Sequence, residues 1–149
     1  MPTFADNRQA GFRYELLDKF EAGLELIGLE VKSIKAGRIN LASAYVLVRD
    51  GEAYLVNADI APYQPVNTPL DYDSRHHRRL LLTKREIAKL AVASNEKRLT
   101  IIPVRVYSKA RRIKIEIALA RGKKKYDKRE ATKKREAERQ IDRTLKTRG

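Results

Sequence analysis

From Tyr14 the even positions read Tyr14, Leu16, Asp18, Phe20, Ala22, Leu24 and Leu26. A period of two with one polar exception predicts a long strand, bent at Gly23. Before it, Met1–Phe12 is polar and reads as a flexible arm. Glu30–Ala36 reads as a short helix, because Val31 and Ile34 share a face and Gly37 stands at the C′ position. Ala44–Arg49 and Glu52–Asn57 alternate as strands around Asp50-Gly51, a two-residue sequence that favours a type I′ hairpin turn. The next segment, Ile60–Arg79, holds Pro62, Pro65 and Pro69 without periodicity and reads as a long loop. Thr83-Lys84-Arg85-Glu86 matches a capping box, with Leu82 and Ile87 at the staple positions, so a helix is expected over Lys84–Ala93. Leu99–Tyr107 and Ile113–Ala120 form a second hairpin across the basic loop Ser108–Arg112. Pro103 has no amide hydrogen, so its position is an edge or a bulge.

These elements add up to five strands, with a helix between the third and the fourth. The expected class is mainly β: a Greek-key barrel of the OB type with short helices, the SH3-like barrel being the alternative. A fold class alone assigns no function.

Charge adds the second half of the picture. The 149 residues carry 33 Lys and Arg against 19 Asp and Glu, a net +14, which implies a polyanionic partner. Of that excess, +8 lies in residues 121–149, where the apolar alternation has ended. The organisation expected is an arm (1–12), an RNA-binding barrel (13–120) and a basic tail (121–149). In the tail Ala137, Ile141 and Leu145 recur every four residues, a stripe too thin to fold alone. Glu130–Lys134 and Asp142–Lys146 each contribute about 0.2–0.5 kcal/mol, while Arg135–Arg139 and Arg139–Arg143 repel. Phosphates would relieve that repulsion, so the tail is expected to become helical on RNA. No apolar run approaches membrane-spanning length, and Met1–Tyr14 lacks the apolar core of a secretory signal, so a cytoplasmic location is expected. With no cysteine, disulfides, thiol nucleophiles and thiolate metal sites are excluded.

Candidate chemistry is that of binding. Lys123-Lys124-Lys125-Tyr126-Asp127-Lys128-Arg129 combines phosphate-neutralising cations with an aromatic ring that can stack on a base. Arg75-His76-His77-Arg78-Arg79 is a basic loop. Adjacent histidines in an extended segment point to opposite sides and no third ligand is evident, so neither metal nor cofactor is expected. Glu21, on spacing alone, is an exposed barrel carboxylate. Lys84 and Arg85 oppose the macrodipole of the helix they begin. Nucleotide-binding glycine motifs and His-Glu-x-x-His are absent, and the chain is not expected to be an enzyme.

Several runs carry a family resemblance: Asn7-Arg8-Gln9-Ala10, Phe20-Glu21-Ala22-Gly23, Gly28-Leu29-Glu30-Val31-Lys32-Ser33, Ala36-Gly37-Arg38-Ile39-Asn40, Leu80-Leu81-Leu82-Thr83-Lys84-Arg85-Glu86-Ile87 and Gly122-Lys123-Lys124-Lys125-Tyr126-Asp127-Lys128-Arg129. In this order the chain resembles the SsrA-binding proteins (small protein B). The resemblance implies an adaptor of trans-translation that docks on the tRNA-like domain of transfer-messenger RNA (tmRNA) and rescues stalled ribosomes. It implies a tmRNA face made from Tyr14, Glu21, Lys32, Arg38, Asn40, Arg78, Leu81, Thr83, Lys84 and Arg85. It implies that Lys123, Lys124, Asp127, Lys128 and Arg129 act at the decoding centre on 16S ribosomal RNA of the 30S subunit in the 70S ribosome, with Tyr126 stacking. Elongation factor Tu and alanyl-tRNA synthetase would act on the same complex. Phe12 stands where the family often has His, so that residue's hydrogen bond does not carry over. The alternative from another class is a structural ribosomal protein with a basic extension.

Overall fold

The computed structural model describes residues 2–122. All five expected strands are present: β2 (Tyr14–Leu24), β4 (Tyr45–Arg49), β5 (Glu52–Val56), β8 (Leu99–Lys109) and β9 (Arg112–Gly122). Four further strands escaped the periodicity: β1 (Thr3–Asp6), β3 (Ile39–Asn40), β6 (Asp59–Ile60) and β7 (Arg78–Leu81). The helices are α1 (Ala10–Arg13), α2 (Gly28–Lys35) and α3 (Lys84–Ser94). Seven strands form one antiparallel sheet in the order β1-β8-β9-β2-β7-β5-β4, and β3 pairs with β6 apart from it. The sheet curls until β4 packs against β8, wrapping a core of Ala22, Leu55, Leu80, Leu90, Ile101, Val106, Ile115 and Ile117. The barrel class read from the pattern is the class found.

Residues 3–6 correct the expectation of a loose arm. They pair with β8, and Asn7 continues the contact by donating to the carbonyls of Val104 and Pro103 at 2.8 and 2.9 Å. The physical reason is Pro103: the β8 register shifts between Pro103 and Arg105, leaving carbonyls that the arm satisfies. At the other end β9 stays paired to Gly122, opposite Tyr14, two residues beyond the expected boundary.

Local signals behave as their chemistry requires. Asp50 and Gly51 take φ of 52° and 76°, the type I′ turn. Gly37, at φ 77°, closes α2 in a Schellman motif: its amide donates to Ile34 and that of Arg38 to Ser33. Thr83 caps α3, its hydroxyl accepting from the Glu86 amide at 3.2 Å while the Glu86 carboxylate accepts the Thr83 amide at 3.0 Å. At the second hairpin the strands run to Lys109 and restart at Arg112, leaving only Ala110 and Arg111 in the turn, both at positive φ.

Strand β2 departs most informatively. Leu16 faces Ala120 but Lys19 faces Ala118, so three steps on β2 match two on β9 and one residue is extra. The polar exception Asp18 marks that bulge. Beyond it the pleat changes hands. Phe20 and Ala22 point into the barrel, whereas Tyr14 and Leu16 lie on the outer face, where they pack with Ala10 of α1, Ile102 and Ala120 in a second small core. Among the described residues no helix is long and apolar enough to cross a membrane.

Candidate nucleic-acid interface

The register aligns one row of residues across the outer face: Tyr107, Lys114, Gly23 and Leu81, on β8, β9, β2 and β7. The row of Arg105, Glu116 and Glu21 runs beside it on the same face, because side chains alternate with a period of two. Gly23 has no side chain, so Leu81 settles over it. A Cβ at position 23 would come within 3.2 Å of Leu81 Cβ and 3.3 Å of its Cδ1. The result is a groove of about 400 Å³ with an apolar floor that includes Gly23, Leu24, Val31, Leu81 and Ile113. Lys35, Arg111, Arg112 and Lys114 line its rim, and among the described residues no acid does. An apolar floor under four cations suits the face of an unstacked base whose flanking phosphates need neutralising.

Beside the groove stands Glu21. Tyr107 Oη donates to its Oε2, and Lys109 Nζ lies 3.2 Å from its Oε1. The Arg105 guanidinium sits over the Tyr107 ring, 4.6 Å from the centroid, and lies 3.4 Å from Glu116. The tyrosine hydrogen bond, aided by the Lys109 and Lys114 charges, outweighs desolvation and holds the Glu21 carboxyl below its ordinary range. Burial, then the Glu21 hydrogen bond and charge, push the Tyr107 phenol up to about 12. At neutral pH the pair is therefore a phenol donor and an ionised acceptor. The Glu21 side chain keeps 37% of its surface exposed, enough to accept a further donor from a base edge or a 2′-hydroxyl.

The residues singled out in the sequence are not all brought together. Leu81, 48% exposed, lies in the groove, and Thr83, Lys84 and Arg85 follow it at the exposed start of α3. The Thr83 hydroxyl is already engaged in the cap. Lys32 and Arg38 are exposed around Tyr63: the Lys32 ammonium is 6.0 Å from its ring centroid, and Arg38 donates to its carbonyl at 3.3 Å. Asn40 pairs with Asp59 and accepts the Ala42 amide at 2.9 Å. Tyr14 stands at the opposite end of β2, roughly 30 Å from Leu24 at about 3.3 Å per residue. Lys123, Lys124, Tyr126, Asp127, Lys128 and Arg129 lie outside the described residues.

Arg78 is a correction. It is 1% exposed and points into the fold, so it presents nothing to an RNA. Its Nε and Nη2 lie 2.7 and 2.6 Å from Oε2 of buried Glu30, and its remaining donors reach the carbonyls of Ala58, Ser74 and His76. His76 Nε2 and Tyr72 Oη reach the same carboxylate oxygen at 2.9 and 3.3 Å. The segment expected to be a free basic loop is thus tied to α2. Burial pushes the Glu30 carboxyl up, but the Ile27 amide and the Arg78 guanidinium outweigh it and the net shift is downward. Among the described residues no His, Asp and Glu group is placed to hold a metal. Sequence reading missed Lys35, Arg111, Arg112 and Lys114 as one site. It noted the basic 108–112 loop and the Gly23 bend, but only the register shows that they adjoin.

Comparisons with known proteins bear on the chain as a whole. The family profile described as SmpB protein matches residues 4–147. The SsrA-binding protein of Gloeothece citriformis (strain PCC 7424) is 50% identical over 141 residues, covering 95% of this chain and 91% of the relative. That of Microcystis aeruginosa (strain NIES-843 / IAM M-2473) is 48% identical over 141 residues, covering 95% and 92%. A solved structure described as "tmRNA-SmpB: a journey to the center of the bacterial ribosome" superposes with a TM-score of 0.70 at 38% identity, covering 89% of this chain and 95% of that one.

Proposed function

Because the chain belongs to the SmpB family of SsrA-binding proteins, we propose that it is an RNA-binding adaptor of trans-translation, carrying tmRNA to the ribosome. The observation that carries this reading is the outer-face groove, with its apolar floor and four cations beside the fixed Glu21 acceptor. Such a surface binds folded RNA by shape, unstacked bases and 2′-hydroxyls. Here it receives the tRNA-like domain of tmRNA, with Glu21, Leu81, Thr83, Lys84 and Arg85 at its edge. Lys32, Arg38 and Asn40 form a flank of the same contact. The protein catalyses nothing itself. It works in the cytoplasm beside elongation factor Tu and alanyl-tRNA synthetase, which act on the same RNA.

The barrel (residues 13–120 with the two further paired residues) and the tail (the rest, to 149) divide the work. Lys123, Lys124, Asp127, Lys128 and Arg129 act on 16S ribosomal RNA at the decoding centre, and Tyr126 stacks there. The basic tail enters the message channel only when that channel is empty. Arg111→Glu with Arg112→Glu is expected to weaken binding of the transcribed tRNA-like domain by tenfold or more. Asp127→Ala with Lys128→Ala should leave that affinity within twofold and abolish peptide tagging on stalled ribosomes. Wild-type protein that fails to bind the tRNA-like domain, or that copurifies stoichiometrically with ribosomal subunits irrespective of tmRNA, would overturn the reading.

A further inference from the structure

His76 stands outside the groove lining, yet both of its ring nitrogens are engaged. Nε2 lies 2.9 Å from Oε2 of Glu30, and Nδ1 lies 2.9 Å from the carbonyl oxygen of His77. Both partners only accept: one is a carboxylate held below its ordinary range, the other a main-chain carbonyl. A neutral imidazole carries one N–H, so either tautomer would set a lone pair against an oxygen at one of the two contacts. Only the imidazolium satisfies both. The side chain keeps 38% of its surface exposed, so its proton exchanges with solvent.

The carboxylate that His76 meets joins the two walls of the groove. Glu30 belongs to α2, where the next residue, Val31, lines the groove floor and Lys35 lines its rim. Arg78 shares Glu30 Oε2 with His76 and begins β7, whose Leu81 lies over Gly23. The Arg78 guanidinium balances the Glu30 charge, and a protonated His76 adds a second cation to the junction of α2 with β7. From its own segment, the Tyr72 ring meets His76 edge-on, with 6.1 Å between centroids. Burial, then the Glu30 charge, pushes the Tyr72 phenol up, so it stays neutral wherever imidazole titrates. Asp73 meets only the His76 amide, accepting it at 3.2 Å through its main-chain carbonyl, and Arg75 turns away to Asn57 and Asp59.

We propose that His76 is a pH-sensitive latch on the groove: its protonated ring fastens α2 to the start of β7, and loss of the proton loosens that junction. The neutral ring keeps one N–H contact and offers the carboxylate no charge. Val31, Lys35 and Leu81 then lose part of the support that holds them as one groove. Arg78 and Tyr72 keep the segment in place, so the latch tunes the groove and does not unfold it. The proposal rests on the reading above that the groove takes RNA, and it gives that site a regulation: binding tightens as pH falls and the ring takes up its proton.

The test follows the isotope-labelled full chain by NMR between about pH 5 and 8, the interval in which imidazole ordinarily changes charge. At the acidic end both ring nitrogens of His76 should carry protons. As one proton leaves, the amides of Val31, Lys35 and Leu81 should shift with the same midpoint, and they should stay still in His76→Gln. A ring whose protonation is constant across the interval, or groove amides that ignore the ring, would overturn the latch. Binding of the transcribed tRNA-like domain of tmRNA is then measured at both ends. Native protein should bind at least about threefold more tightly than His76→Gln at the acidic end and equally at the alkaline end, while His77→Gln behaves as native. The same ratio at both ends would overturn the regulation. Native protein that binds the domain at neither end would sink the earlier reading of the groove, and the NMR titration, which uses no RNA, would still decide the latch.

Discussion

Arg78 shows how much one side chain can hold in place. Its five N–H donors are all satisfied inside the fold, and its partner Glu30 is fully buried. Arg78→Ala leaves a buried carboxylate without its guanidinium partner and should destabilise the protein by about 3–5 kcal/mol, measured by urea unfolding. Replacing both partners, with Glu30→Met and Arg78→Met, should cost far less, because no charge is then stranded. The pH dependence separates the cases. The Glu30 carboxyl is held below its ordinary 4.5 in the fold, so its contribution is present above that value and lost as pH falls through the lower folded one. In Arg78→Met alone the guanidinium no longer offsets burial, so the downward shift should shrink and the loss of stability on acidification with it. At Glu21 the partner to test is Tyr107. Tyr107→Phe should weaken tmRNA binding severalfold in the native background and have no effect in Glu21→Ala, because the phenol acts through the carboxylate. Equal losses in both backgrounds would assign Tyr107 a packing role only.

At the scale of elements, the hairpin between β8 and β9 sets stability against binding. Ala110 and Arg111 both hold positive φ, a conformation that costs a residue with a Cβ about 1 kcal/mol. Yet Arg111 lines the groove. Asn-Gly in their place fits the type I′ turn and should raise the unfolding midpoint while lowering affinity for the tRNA-like domain. Scanning calorimetry and a binding titration on the same variant check both halves. What the sequence made legible follows from range. The Asp50-Gly51 turn, the Gly37 terminus and the Thr83 cap depend on neighbours within four residues, so their chemistry is written locally. Strand β7 was hidden because its inward residues are Arg78 and Leu80: a buried arginine among surface-like charges breaks the alternation that marks a strand. Its partner, Glu30, is 48 residues away, and no local pattern pairs them.

For the molecule as a whole, the candidate site was half legible. Glu21, Leu81 and the α3 start came through the family resemblance. The groove did not, because its cations come from α2, from β9 and from the turn before it, and adjoin only through sheet register. The groove and Tyr14 lie at opposite ends of one packed strand. The packed barrel therefore holds the groove and the Tyr14 end at a fixed separation.

That fixed separation would mean little if the two ends faced opposite ways, and here the extra residue beside Asp18 is decisive. It works like a frameshift in the pleat: a single insertion carries Tyr14 and Leu16 to the side on which Glu21 stands. Position 18 is therefore constrained in count and hardly at all in chemistry. Most exchanges of exposed Asp18 should be tolerated, whereas deleting it should turn Tyr14 toward the barrel and α1 away from its support. A library comparing every substitution at 18 with the one-residue deletion, scored for soluble yield and RNA binding, should find the deletion alone crippling.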